Sequence, residues 1–199
     1  MIYKLTDTLK AKNLFEGWEE TFVYTCMQKV MGNIYVVDRC EPTSALASVG
    51  CFRFFAGEPN RELVENKPDG FGIFVPQNKA WEEIIEEVYP EAKKVTRYAI
   101  KKDTQFDSSL LKNNIRMLPE GYELRRINAA LYDKCLEDSV TADFVSSFES
   151  KEKYLRDGRG FVIMKNGKIV AGASSYIRYR EGIESRWIRW NRKEENTLR

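Results

Sequence analysis

The chain contains no histidine, and that absence decides which chemistry its polar residues could perform. A Ser-His-Asp triad, a Cys-His pair and a histidine-ligated metal are excluded. Any general base must be a carboxylate, a perturbed lysine, a tyrosine or a backbone-held water. The most suggestive cluster is Ser174, Ser175 and Tyr176, followed by Arg178, Tyr179 and Arg180. A nucleophilic serine needs a neighbouring base, and none is recognisable here; on a strand the two hydroxyls would simply face alternate sides. Tyr176 and Tyr179 read as groove-lining residues or as half-buried packing. Arg178 and Arg180 could steer an anion or form a solvent face. Cys26, Cys40, Cys51 and Cys135 lack metal-ligand spacing and are too sparse for a disulfide scaffold. They read as reduced, buried thiols of a cytoplasmic protein, with Cys135 a packed small hydrophobe. No metal is expected. Glu82, Glu83, Glu86 and Glu87 read as an exposed helix face.

The stretch that must position this cluster runs from Gly160 to Glu184. Phe161–Met164 is an apolar run, Asn166-Gly167 is a turn, and Ile169-Val170 resume the apolar character. Apolar runs flanking Asn-Gly predict a hairpin, because a tight primed turn needs positive φ at both central residues. The small residues 171–175 leave room for a ligand or another backbone.

Composition excludes several partners. A net charge of +2 is too small to argue for a nucleic-acid or membrane surface, and no apolar run reaches the roughly 20 residues that span a bilayer. The first residues lack a signal-peptide core. With 199 residues, the chain has room for one large domain or two small ones. A helix is expected over 14–30, capped near Asn13, then strands over 34–37, 45–55 and 71–75. Short helices are expected at 61–65 and from Asn78 to Tyr89, where Trp81, Ile84, Ile85 and Val88 recur at i, i+3, i+4 and i+7. Trp18, Trp81, Phe52, Phe54 and Phe55 are expected in the core. A loop over 67–70, a strand over 95–101 and a short helix over 108–117 complete the first half. A new unit opens near Pro119: a strand over 122–127, a helix capped by Asn128, helical character over 143–148, a helix from Ser150 to Asp157, and the hairpin.

From Gly121 onward, YELRRI, two helices, GFVIMKNGKIVAGASSY and REGIE resemble the first half of a GNAT acetyltransferase domain. FEGWEET, VMGNIYV, FFAGEPN, VPQNKAW and KKVTRYAIKK resemble the N-terminal α/β domain that precedes it in a bacterial group of the superfamily. The fold expected is α/β with mixed sheets: an N-terminal domain over 1–117, a partial GNAT-like domain over 118–184, and an aberrant tail over 185–199. The resemblance implies acetyl transfer from acetyl-CoA to an amine of a small molecule or peptide. Glu184, where a fourth strand would begin, is the candidate for the base relay. Ser174, Ser175 and Tyr176 are the candidates for cofactor binding. In the superfamily the pantetheine arm runs along the fourth strand, and the pyrophosphate sits on an Arg/Gln-x-x-Gly-x-Gly/Ala loop at a helix N-terminus, where backbone N–H groups bind anions.

After Glu184 the sequence reads SRWIRWNRKEENTLR, with no such loop and no strand-like alternation. Regrouping the back-translated codons by one base permits an alternating strand followed by Arg-Arg-Lys-x-Leu-Ala, so a shifted reading frame after Glu184 is expected, to be tested on the gene sequence. The chain as given would then be an impaired acyltransferase, a non-catalytic remnant, or a module that binds the acceptor or a second copy. Ending after a third strand would leave residues 168–184 as an open edge, which favours homodimers, strand swapping or aggregation.

Overall fold

A computed structural model describes residues 1–66, 70–97 and 105–186. Its α-helices and β-strands intermix, and the strands form two sheets, one of five strands in the order β1-β2-β3-β4-β5 and one of four in the order β6-β7-β8-β9. The chain divides into two compact units. The first gathers Met1–Lys93 with Ile177–Glu184, and the second is centred on Lys94–Tyr176.

In the first unit, β1 (Tyr3–Lys4), β2 (Asn33–Val36), β3 (Ser44–Val49) and β4 (Phe52–Gly57) pair antiparallel in sequence order. The single strand expected over 45–55 is instead this β3–β4 hairpin. Gly50 takes φ +54°, a conformation glycine adopts without steric penalty, and the chain reverses there. β4 then pairs parallel with β5 (Ile73–Pro76), across a crossover that contains helix α2 (Arg61–Glu65). α3 (Lys79–Val88) follows, its first turn closed by Asn78, whose side chain accepts from the Trp81 N–H.

The sheet is covered on both faces, which explains why β3 and β4 read as nearly continuous apolar runs. Phe52 and Phe54 lie 4.3 and 5.6 Å, centroid to centroid, from Phe22, on α1 (Thr21–Met27). Phe55, pointing the other way, packs with its ring tilted 32° and 5.1 Å from Trp81, in a core with Leu46, Leu63, Val64 and Ile85. The Trp81 indole N–H donates to Gly57 O at 2.9 Å, so this large ring is buried with its polar atom satisfied. Trp18 is only half-buried.

The expected helix over 14–30 is corrected to two shorter pieces. Asp7, accepting from the Leu9 N–H, starts a 3-10 helix over Thr8–Phe15, and α1 begins only at Thr21. Gly17 (φ +74°) separates them, and Lys29 (φ +55°) stands between the end of α1 at Met27 and residue 30. Not all four cysteines are buried as expected. Cys26 and Cys135 are, whereas Cys40 is exposed and Cys51 intermediate.

In the second unit, α4 (Ser108–Arg116) buries none of its side chains. β6 (Tyr122–Arg126), β7 (Gly160–Lys165) and β8 (Lys168–Tyr179) form an antiparallel meander. Asn166 and Gly167 take φ +50° and +73° at its second turn, as the Asn-Gly signal requires. Between β6 and β7 come α5 (Ala129–Leu136), capped by Asn128, α6 (Ser139–Ala142) and α7 (Lys151–Asp157). The helical stretch expected over 143–148 is corrected: the helix there is α6, started by Asp138, which accepts from the N–H groups of Val140 and Thr141, and it ends at Ala142, with turns and a bend over 143–148. Tyr154 of α7 packs against Tyr132 and Phe148 at 5.4 and 5.2 Å.

β9 (Gly182–Arg186) pairs beside β8. The expectation that residues 168–184 form an open edge is therefore corrected for β8, which has a neighbour on each side; among the described residues the edge strand is β9. The tip of this β8–β9 hairpin belongs to the first unit. There the Thr25 hydroxyl donates to Arg178 O at 2.5 Å, and the Gln28 side chain accepts from Arg180 N and donates to the Glu181 carboxylate, both at 2.8 Å. The loop expected over 67–70 and the strand over 95–101 fall largely outside the described residues. So does the tail from residue 187 onward.

Candidate functional site

The sequence-selected cluster lies on β8. Ser174 and Ser175 are both buried, and both hydroxyls are engaged. Ser174 Oγ and the Tyr154 hydroxyl are 2.9 Å apart and share a hydrogen bond inside the helix-covered face. Ser175 Oγ accepts from the Arg159 N–H at 2.8 Å, while the Ser175 N–H donates to Arg159 O at 2.7 Å. The pair thus clamps the turn that leads from α7 into β7. Space is tight at this clamp, since a Cβ on Gly160 would lie 2.4 Å from Tyr154 Oη and 2.7 Å from Ser174 Oγ. Burial raises the affinity of the Tyr154 hydroxyl for its proton, with the Ser174 bond acting in the opposite direction. Tyr154 is therefore held as a neutral phenol that can donate or accept.

Tyr176 is buried one residue further along β8. Tyr179, half-buried, has its ring 6.4 Å from that of Tyr24. The Arg178 backbone contributes to the fold through the carbonyl bonded by Thr25 and an N–H directed at the Met31 sulfur. Glu184 lies within β9. The structure thus gathers Ser174 and Ser175 around Arg159 and Tyr154, two residues the sequence did not connect with them.

A separate concave feature was not selected from sequence. An open cleft of about 510 Å³ is lined by Arg125 and Arg126 from the end of β6, by Asn128, Ala130, Leu131 and Lys134 of the α5 segment, and by Met164 and Gly167 at the β7–β8 turn. The only sequence sign of it was the Arg-Arg pair in YELRRI, directly ahead of the Asn128 cap. Among the described residues no group of three or more cysteine, aspartate or glutamate side chains could hold a metal ion, and no helix is long and apolar enough to cross a membrane.

The model of the GNAT acetyltransferase family matches residues 12–186. The chain belongs to the GNAT acetyltransferase family. A solved structure described as a GCN5-related N-acetyltransferase-like protein from Streptococcus suis 89/1591 is 38% identical to this chain. It matches with a TM-score of 0.87, over 96% of this chain and 78% of its own. No curated protein matches. For this GNAT chain, membership supports acetyl transfer as the general chemistry. The second sheet, with β6, three helices and then β7, β8 and β9, has one helix and one strand more than the two helices and three strands read from Gly121 onward.

Proposed function

We propose that the protein is an N-acetyltransferase that uses acetyl-CoA as donor and an amine of a small molecule or peptide as acceptor. The observation that carries this reading is β9 at the edge of the second sheet. It pairs with β8 on one side only among the described strands, so its outer N–H and C=O groups are open to an extended, amide-bearing arm such as pantetheine. That edge fits the arm of the donor. The Arg/Gln-x-x-Gly-x-Gly/Ala pattern for the pyrophosphate does not occur in the sequence, so the arm, rather than the phosphates, is where these residues would contribute most to binding.

In this reading Ser174 and Ser175 act by fixing the backbone of β8, against which β9 is aligned, and Tyr176 anchors the same strand from within the core. Glu184 is the base candidate for the acceptor amine. The boundary near residue 118, with an acceptor-binding role for the first part of the chain, belongs to the same proposal.

Isothermal titration of acetyl-CoA into the purified 199-residue chain tests it. Micromolar binding, with S-acetylpantetheine, which keeps the arm but lacks the pyrophosphate and nucleotide, binding nearly as well, is the expected result. Heats indistinguishable from dilution at millimolar acetyl-CoA would remove the donor from the proposal and leave a GNAT scaffold without its cofactor.

A further inference from the structure

We propose that the cleft between the end of β6 and the first turns of α5 is a binding site for a small organic anion, a carboxylate or phosphate carried on a short apolar body. The site lies wholly within the second unit, and its lining is of two kinds. Arg125, Arg126 and Lys134 supply three cations around the rim, while Ala130, Leu131 and Met164 supply an apolar wall. Its volume of about 510 Å³ falls in the range of pockets that enclose small ligands.

The charges at the rim are available. Arg126 is exposed and makes no ion pair among the described residues. Arg125 is paired through Nε to Glu123 at 2.8 Å, and Lys134 stands 3.8 Å from Glu137. Both of those carboxylates are well exposed, at 59% and 70%. Exposed pairs of this kind contribute little, so a ligand anion reaching into the cleft exchanges weak, solvated partners for a guanidinium fork. Arginine offers two parallel N–H groups to a carboxylate or phosphate, a match of geometry as well as charge. Asn128 does not compete for the ligand with its carbonyl oxygen, because Oδ1 already accepts from the Leu131 N–H at 2.9 Å. A purely inorganic anion would leave the Leu131–Met164 wall uncovered, which is why an apolar body is part of the proposal.

The test uses the full chain, uniformly labelled with nitrogen-15, and follows backbone amides by NMR while hexanoate, hexyl phosphate or hexylamine is added. Saturable shifts of Asn128, Ala130, Leu131 and Gly167 with hexanoate or hexyl phosphate, and none with hexylamine, are expected. Whichever anion binds more tightly identifies the headgroup. Arg126→Gln, at an exposed position, should keep the dispersed spectrum of the folded protein and weaken binding about tenfold. Equal responses to hexylamine, no saturable response to either anion, or unchanged affinity in R126Q would each overturn the proposal. Acetyl-CoA takes no part in these titrations, so their failure and the failure of the acetyl-transfer reading are separate results.

Discussion

Replacing Ser174 with alanine removes one hydroxyl from a buried pair, and the consequence can be worked out from the contacts of each partner. Tyr154 is 1% exposed and Ser174 3%, so water cannot replace a lost partner cheaply. In S174A the Tyr154 hydroxyl is stranded, and an unsatisfied buried polar group costs about 1–3 kcal/mol. Tyr154→Phe is milder. It removes the phenol oxygen itself, and Ser174 Oγ keeps Arg159 O as an acceptor at 3.5 Å. A cost of about 0.5–1.5 kcal/mol is expected there. The double variant has neither hydroxyl, so its loss should fall below the sum of the two singles by about 1 kcal/mol. Urea unfolding followed by far-UV circular dichroism, with the linear extrapolation applied to all four proteins, measures each value. Additive single costs, or a Y154F loss larger than that of S174A, would refute the claim that this hydrogen bond fastens α7 to β8.

Two further predictions concern the first unit. Gly57→Ala should destabilise by more than about 2 kcal/mol, because a Cβ at φ +79° would lie 2.1 Å from Thr43 O and would force β3 from β4. Gly17→Ala is the control, with φ +74° but nothing within 4 Å, and should cost only about 1 kcal/mol; equal losses in thermal melts would contradict the contact argument. The buried Cys26 thiol is pushed up to about 12 from an ordinary value of 9.0, chiefly by burial. A group whose folded pKa is raised contributes its full stability below the unfolded pKa and loses it as pH rises, so stability should fall between pH 9 and pH 12. The slope from this group is at most about 1.4 kcal/mol per pH unit. Urea midpoints from pH 8 to 11 should show a flatter alkaline decline in Cys26→Ala, though not its absence, since the Cys135 thiol is also raised, to about 11. Parallel declines in the two proteins would exclude Cys26 as a source.

Much of the local structure was legible because it is encoded within a few residues. Asn78 and Asn128 start α3 and α5 through a side-chain oxygen three residues from the amide it accepts from, and such a cap needs no distant partner. Asn166-Gly167 made the β7–β8 hairpin for the same reason: both residues take positive φ, whatever surrounds them. The Trp81, Ile84, Ile85, Val88 spacing likewise fixed which side of α3 faces the core.

The tertiary structure decided what those signals left open. An apolar run such as 45–55 is equally good as one strand or two, and only the positive φ at Gly50 and the burial of both faces chose the hairpin. The docking of the β8–β9 turn on Thr25 and Gln28 joins residues about 150 positions apart, which no local pattern records. The fates of Ser174 and Ser175 were undecidable for the same reason. Their types suggested chemistry, but Tyr154 and Arg159 claimed their hydroxyls. The cationic cleft likewise exists only because β6, α5 and the β7–β8 turn converge. Sequence thus determined the capped helices, the Asn-Gly turn and the apolar faces, where hydrogen bonds close over three or four residues. Strand partners, the serine clamp and the cleft depended on burial shared between distant segments, and that is settled only when the chain packs.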